Sequence, residues 1–225
     1  MVQPASGISR RRQAARDDAN PMYLQRRGEI LQAAARVFKA KGLQGSNLGD
    51  IAAESGADRA SLYYYVGSKE ELFHELVRGA VEANLARARD IQQGAGTAPD
   101  KLRELLDALM VSYAVHYPIL YVFIQENLSH VPDKHADWAR DMRRINKDYE
   151  QIVVDLVTEG MAVGTIRRTG EPWVVAYSLL GMIGWTSRWY NPETCTASPQ
   201  EIAATFADTL LIGLERTLPR ARRTA

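Results

Sequence analysis

A chain of 225 residues, 46% hydrophobic and 24% charged, has the makeup of an ordinary globular protein, long enough for one large domain or two small ones. A net charge of +1 argues for no partner by itself, and a single cysteine, Cys195, excludes an intramolecular disulfide framework and fits a reducing cytoplasm. No apolar run approaches the ~20 residues of a membrane span, so no membrane partner is expected.

Residues 1–26 are polar and carry Pro4, Gly7, Pro21 and the cluster Arg10, Arg11, Arg12 and Arg16. Without apolar periodicity they are expected to form a flexible basic arm, either a solvated tail or one whose arginines reach DNA phosphates. The first residues lack the apolar core of a signal peptide. Charge is unevenly spread: residues 1–70 hold 11 Lys and Arg against 7 Asp and Glu, and the remainder 17 against 20. A basic first third ahead of a mildly acidic remainder suits a nucleic-acid contact confined to one end.

From Arg27 the apolar residues Ile30, Leu31, Ala34, Val37 and Phe38 recur at helical spacing, and Lys41-Gly42 supplies a basic last turn and a left-handed cap. Two short helices about a tight turn follow in 46–67. Ser46 or Asn47 can cap the first and Asp58 the second. Gly56 stands where the chain must turn sharply, and Ile51, Ala52, Ala57 and Leu62 offer the small contacts that hold crossed helices. A long amphipathic helix starts near Ser68, with Glu71 completing a capping box. Gly94 to Pro99 breaks it. Helices are then expected at about 100–116, 118–130, 133–160, 171–190 and 199–217, punctuated by Pro118, Pro132, Pro192 and Pro199. No strand pattern occurs, so the fold is expected to be all-α with about nine helices.

The turn region carries the function. A helix following such a turn presents its N-terminal residues to the DNA major groove, here Arg59, Ala60, Ser61, Tyr63, Tyr64 and Tyr65. Arg59 suits bidentate reading of a guanine edge, and Ser61 can contact bases or phosphates. The tyrosine hydroxyls and Lys69 suit phosphate oxygens, which set register. Ser46, Asn47, Leu48 and Gly49 at the start of the preceding helix complete the expected DNA-binding set. Tyr63 could equally pack the small domain, and Arg59 could pair with Asp58 or Glu54 in the free protein.

The segment Arg27 to Phe73 resembles the DNA-binding domain of the TetR family. It has Ile30-Leu31-x-Ala33-Ala34-x-x-x-Phe38, then Gly42, Asp50-Ile51-Ala52 with Gly56, and Leu62-Tyr63-Tyr64-Tyr65-Val66-x-Ser68-Lys69-Glu70-x-Leu72. Tyr65-Val66 stand where the family often has His-Phe, and Asp58 stands for its Ser or Thr. The resemblance implies an N-terminal three-helix helix-turn-helix domain over 27–74 and a helical ligand-binding and dimerisation domain over 75–218, with a tail at 219–225. It implies a transcriptional repressor that binds a palindromic double-stranded DNA operator as a homodimer and is released by a small apolar effector.

The last two long helices agree. They are rich in apolar and small residues, and Leu180, Ile183, Gly184, Phe206, Leu210 and Gly213 are the expected dimer interface, with a buried intramolecular core as the alternative. A pocket among the middle helices would be lined by Met110, Tyr113, Tyr117, Phe123, Trp138, Met142, Trp173 and Tyr177. The stretch Gly184-Trp185-Thr186-Ser187-Arg188-Trp189-Tyr190-Asn191-Pro192 is similar to an element of TetR-type regulators of fatty-acid and steroid breakdown, which implies an acyl-CoA-like effector. Arg188 would face its phosphate or carboxylate, or stack on Trp185 and Trp189.

An enzyme is the rival class. His116, His130 and His135 with Asp133 and Asp137 lack metal-ligand spacing, Cys195 has no basic partner, and no phosphate-binding glycine loop follows a strand. No metal, cofactor or catalytic residue is expected. A dimeric small-molecule-binding module without operator binding is a third class, against which the intact caps, turn and Lys69 argue.

Overall fold

The computed structural model describes residues 21–125 and 136–212, and its regular elements there are nine helices: α1 (Pro21–Lys41), α2 (Leu48–Ser55), α3 (Arg59–Tyr65), α4 (Lys69–Gln93), α5 (Ala98–Val115), α6 (Ile119–Gln125), α7 (Ala136–Val163), α8 (Pro172–Thr186) and α9 (Pro199–Leu211). The all-α reading holds. The basic arm through Asn20, His130, Pro132, Asp133, His135, Gly213 and the C-terminal tail lie outside the described residues.

The punctuation acts as its chemistry requires. Gly42, at φ 69°, donates its N–H to Phe38 O at 2.8 Å and closes α1 in the left-handed form. Ser68 Oγ accepts from Glu71 N at 3.1 Å, while the Glu71 carboxylate returns to Gly67 N at 2.8 Å, one residue before the expected capping-box donor. Ser198 and Glu201 form a full capping box on α9. Helix α1 begins at Pro21, six residues earlier than periodicity placed it. Proline suits a first helical position, and Tyr23 is buried against Tyr65, ring centroids 5.1 Å apart, so the supposed end of the arm is part of the packed head.

Packing divides the chain into two compact units that do not follow the expected boundary near residue 74. Of the described residues the first comprises 21–85, 115–125 and 136–146, the second 86–114 and 147–212. In the first unit Ile30, Phe38, Ile51, Leu62, Leu72 and Phe73 are fully buried, with the Phe38 and Phe73 rings edge to face. Residues 115–125 belong here because α6 packs on α1. Trp138 stacks on His74 at 3.9 Å and meets Phe123 edge-on. Arg27 of α1 is buried and paired with Glu75, with Glu71 at 3.6 Å. Burial opposes its charge, but the hydrogen bond and charge of Glu75 more than offset that and raise its pKa.

The second unit is built on α5, the C-terminal part of α7, α8 and α9. Leu102, Leu105, Leu106, Met110, Leu156, Val157, Leu179 and Ile202 are buried in it. Gly160 permits a close approach there, since a Cβ at that position would lie 2.6 Å from Ile166 and 2.9 Å from Ala98.

Candidate functional site

Asn47 opens α2. Its side-chain oxygen accepts from Gly49 N at 2.8 Å and Asp50 N at 3.1 Å, and Asp50 returns to Asn47 N at 3.0 Å. These bonds satisfy N–H groups that have no partner inside the helix. A side chain on Gly49 would place Cβ 2.9 Å from the capping oxygen. Asp50 also holds Lys41 at 2.6 Å. Hydrogen bonding from Lys41 first, then from the Asn47 backbone, keeps its carboxyl below the ordinary aspartate value. Ser46, the other candidate cap, is buried and donates to Leu43 O at 2.9 Å, so it shapes the loop from inside. Leu48 and Gly49 are half-buried.

Gly56 makes the turn at φ 63°, ψ 24°, where a residue with a side chain would be strained. Ala57 N then donates to Ala52 O at 3.0 Å and ends α2. Asp58 caps α3 by accepting from Ser61 N at 2.9 Å and from the Ser61 hydroxyl. Those bonds, the hydroxyl first, lower the Asp58 pKa. Ser61 therefore offers DNA only its acceptor lone pairs while this bond lasts.

The outward end of α3 carries Arg59, Ala60 and Ser61, all exposed, followed by Tyr63 and Tyr64 at 37% and 38% exposure. Neither acid considered for Arg59 holds it. Glu54 pairs with Arg36 at 2.6 Å, and Asp58 is engaged with Ser61. Tyr65 is half-buried, stacked on Tyr23, and Tyr64 meets both rings edge-on. Lys69 is placed differently from the phosphate contact expected of it. Its ammonium donates to Leu43 O at 2.7 Å, Ser46 O at 2.8 Å and Gln44 O at 3.4 Å. It ties the loop before α2 to the start of α4. The sequence could not reveal this, because the three carbonyls lie 23 to 26 residues away.

The nine residues expected to line a pocket are divided between the two units. Tyr117, Phe123, Trp138 and Met142 belong to the first unit, and Met110, Tyr113, Trp173, Tyr177 and Arg188 to the second. In the second unit Met110 is fully buried and Tyr113 packs on Tyr190 at 5.9 Å. Trp173 and Tyr177 are surface residues of α8, Tyr177 donating to Glu150 at 2.8 Å. Arg188 lies 4.9 Å over Trp185. That is the stacking alternative, at a turn where buried Tyr190 N bonds Thr186 O at 2.8 Å and the Trp189 ring meets Phe206.

The second unit contains a small apolar crevice of about 10 Å3, room for no more than about one water. Leu102, Leu105, Leu106 and Leu109 of α5, Tyr149 and Val153 of α7, and Leu179, Leu180 and Ile183 of α8 line it. None was among the expected ligand residues, because leucines at helical spacing read as ordinary core. Leu180 and Ile183, expected at the dimer interface, line this crevice and are half-buried, as are Phe206 and Leu210. Gly184 is exposed, and a Cβ at Gly181 or Gly184 would meet nothing within 4 Å.

Among the described residues no three His, Cys, Asp or Glu side chains could hold a metal ion, and no helix is long and apolar enough to cross a membrane.

Comparison with known proteins bears on both parts of the chain. Residues 30–76 match the family described as bacterial regulatory proteins, tetR family, and residues 95–214 the tetracyclin repressor-like C-terminal domain. The HTH-type transcriptional repressor KstR2 of Mycobacterium tuberculosis is 30% identical over 168 residues, 74% of this chain and 82% of that protein. The TetR family regulator PfmR from Thermus thermophilus superposes with a TM-score of 0.74 at 24% identity, over 83% of this chain and 99% of its own. AibR, solved in complex with isovaleryl coenzyme A and operator DNA, superposes with a TM-score of 0.70 at 20% identity, over 84% of this chain and all of its own.

Proposed function

Because the chain belongs to the tetR family of bacterial regulatory proteins and is a ligand-responsive DNA-binding transcriptional repressor rather than an enzyme, we propose that it grips a palindromic operator as a homodimer and lets go when an acyl-CoA-type effector binds its C-terminal domain. The observation that carries this reading is the outward end of α3, where Arg59 stands exposed and unclaimed by Glu54 or Asp58, above a turn fixed by the Asn47 and Asp58 caps. An arginine held ready in this way can take both acceptors of a guanine without first breaking an ion pair. Tyr63 and Tyr64 beside it can reach phosphates, and Lys69 acts through the loop it holds.

Homodimerisation through α8 and α9 is supported by the surface they leave. Trp173, Tyr177 and Trp185 remain 56%, 48% and 60% exposed, with Gly181 and Gly184 open between them. Large apolar side chains clustered on one helix mark an interaction surface, and bare glycines let a second helix approach closely. Two heads on one dimer fit successive major grooves only when about 34–36 Å apart, or a multiple of it. An effector that binds better to any other spacing must weaken DNA binding reciprocally.

The test is binding of the purified chain to DNA upstream of its own gene, followed by fluorescence anisotropy at several salt concentrations, with and without acyl-CoA thioesters. Tight, salt-sensitive binding that one thioester reverses is expected. Binding that no thioester disturbs would remove the acyl-CoA effector, and absence of binding to any promoter fragment would remove the operator.

A further inference from the structure

The start of α1 holds both helices of the turn from behind. Tyr23, Arg26 and Arg27 stand at i, i+3 and i+4 and so share one face of that helix. The Arg26 guanidinium, paired with Glu29 at 2.6 Å, donates to the carbonyl of Ser55, the last residue of α2, at 3.2 Å. Arg27 is paired with Glu75 and lies 3.6 Å from Glu71, whose carboxylate accepts from Gly67 N just past α3. Tyr23, 4% exposed, reaches the end of α3 itself. Its ring stacks on Tyr65 at 5.1 Å and 26°, and meets Tyr64 edge-on at 5.7 Å and 87°. Tyr64 in turn meets Tyr65 at 5.1 Å and 84°. Tyr63, its neighbour on the surface of α3, has no ring contact among the described residues.

We propose that Tyr23 is a positioning residue for operator binding: buried behind α3, it fixes the Tyr64 ring so that the Tyr64 hydroxyl meets a phosphate of the operator. The inference rests on the reading that α3 enters the major groove, and it names a residue outside that helix that sets one of its backbone contacts. Tyr64 is held by two rings and is still 38% exposed, so it is fixed without being hidden. A tyrosine side chain has few rotatable bonds, and edge-to-face contacts on two sides remove most of the freedom they allow. A hydroxyl fixed before DNA arrives loses little further entropy on meeting a phosphate, and phosphate contacts are what set register. A smaller side chain at position 23 would leave the Tyr64 ring space to swing away from that direction.

The test is a double-mutant cycle on the full chain, read by fluorescence anisotropy as binding to DNA upstream of its own gene. Circular dichroism confirms that each variant is folded at the temperature used. In the wild-type background Tyr64→Phe, which removes only the hydroxyl, should weaken binding about tenfold, the scale of one hydrogen bond to a charged group. In a Tyr23→Leu background the same change should cost less than about twofold, because the hydroxyl is no longer aimed. Tyr23→Phe keeps the ring contacts and should restore the full cost, whereas Tyr63→Phe should cost the same in all three backgrounds. A Tyr64→Phe cost that is equal in the wild type and in Tyr23→Leu overturns the positioning role. So does a Tyr63→Phe cost that collapses in parallel, since Tyr23 would then support the whole helix. If Tyr23→Leu does not fold, Tyr23→Met takes its place, and failure of both beside a folded Tyr23→Phe confines Tyr23 to stability and overturns the role as well. Operator binding that Tyr64→Phe leaves untouched overturns the positioning role alone. A wild type that binds no upstream fragment overturns the reading of α3 with it.

Discussion

At the turn between α2 and α3 the polar groups on the surface are held by partners two or three residues away, Asn47 by Gly49 and Asp50, Asp58 by Ser61. Helix α8 presents Trp173, Val174, Tyr177 and Trp185 to its surroundings, and of these only Tyr177 has a polar tie, to Glu150 on another helix. The first surface is stable in water by itself because its backbone donors are already satisfied locally. The second is apolar on every side, the composition expected of a helix that a partner covers. One region is complete in a single chain, and the other leaves large apolar side chains exposed, as the proposed dimer requires.

The strongest way to break this contrast is to charge the exposed face of α8. Trp185→Glu combined with Val174→Glu should turn a dimer into a monomer in analytical ultracentrifugation with helical content unchanged. Operator affinity should fall at least about 100-fold, since interface hot spots are worth ~2–4 kcal/mol each and the second head loses its tethered concentration. A dimer that persists would show that α8 is covered by something else.

Arg59→Ala should cost about 1–3 kcal/mol of operator binding and relax selectivity at one base position, with the oligomer unaffected. Unchanged affinity and selectivity in a binding-site selection would mean that α3 does not read bases.

Lys69→Ala sharpens the distinction between holding the head and touching DNA. Loss of its bonds to the carbonyls of Leu43 and Ser46 should destabilise the fold by about 1–2 kcal/mol, a drop of a few degrees in unfolding temperature. The salt dependence of DNA binding should stay nearly constant. A salt slope flattened by about one would instead put the ammonium on a phosphate.

The smallest effect is expected from acid. Asp50 and Asp58 both have folded-state pKa values below the ordinary 3.8, the first through Lys41 and Asn47, the second through Ser61. A depressed carboxylate contributes stability that is complete above its unfolded value and is lost as pH falls through the folded one. The head should therefore keep its stability down to about pH 4 and lose it progressively below, as thermal melts across that range would record. Loss already complete near pH 6 would point to a different group.

The head was readable because its determinants are short-range: cap to third residue, glycine at the turn, apolar repeat of three and four. What escaped reading there depends on distant contacts. Tyr23 joins α1 because it stacks on Tyr65, and Lys69 turns inward because carbonyls of the preceding loop lie in reach. In the C-terminal part the aromatic residues and the apolar crevice lie in different places. Trp173 and Tyr177 are surface residues, while the crevice is made from leucines that carry no signal beyond core. A helix apolar on every side has no phase in its sequence, so nothing in α8 told Leu180 and Ile183, which face the crevice, from a face turned outward. The grouping of 115–125 and 136–146 with the N-terminal helices was equally out of sight, because it is set by packing and not by order along the chain.

The placement of the four tryptophans also has an optical consequence. Trp173, Trp185 and Trp189 are at least half exposed, whereas Trp138 is shielded between His74 and Phe123. Acrylamide added to a single chain should dim the first three emitters and spare the fourth. Covering α8 would move Trp173 and Trp185 into shadow and leave Trp138 as an internal reference lamp, so the emission of the unlabelled protein becomes its own gauge of assembly.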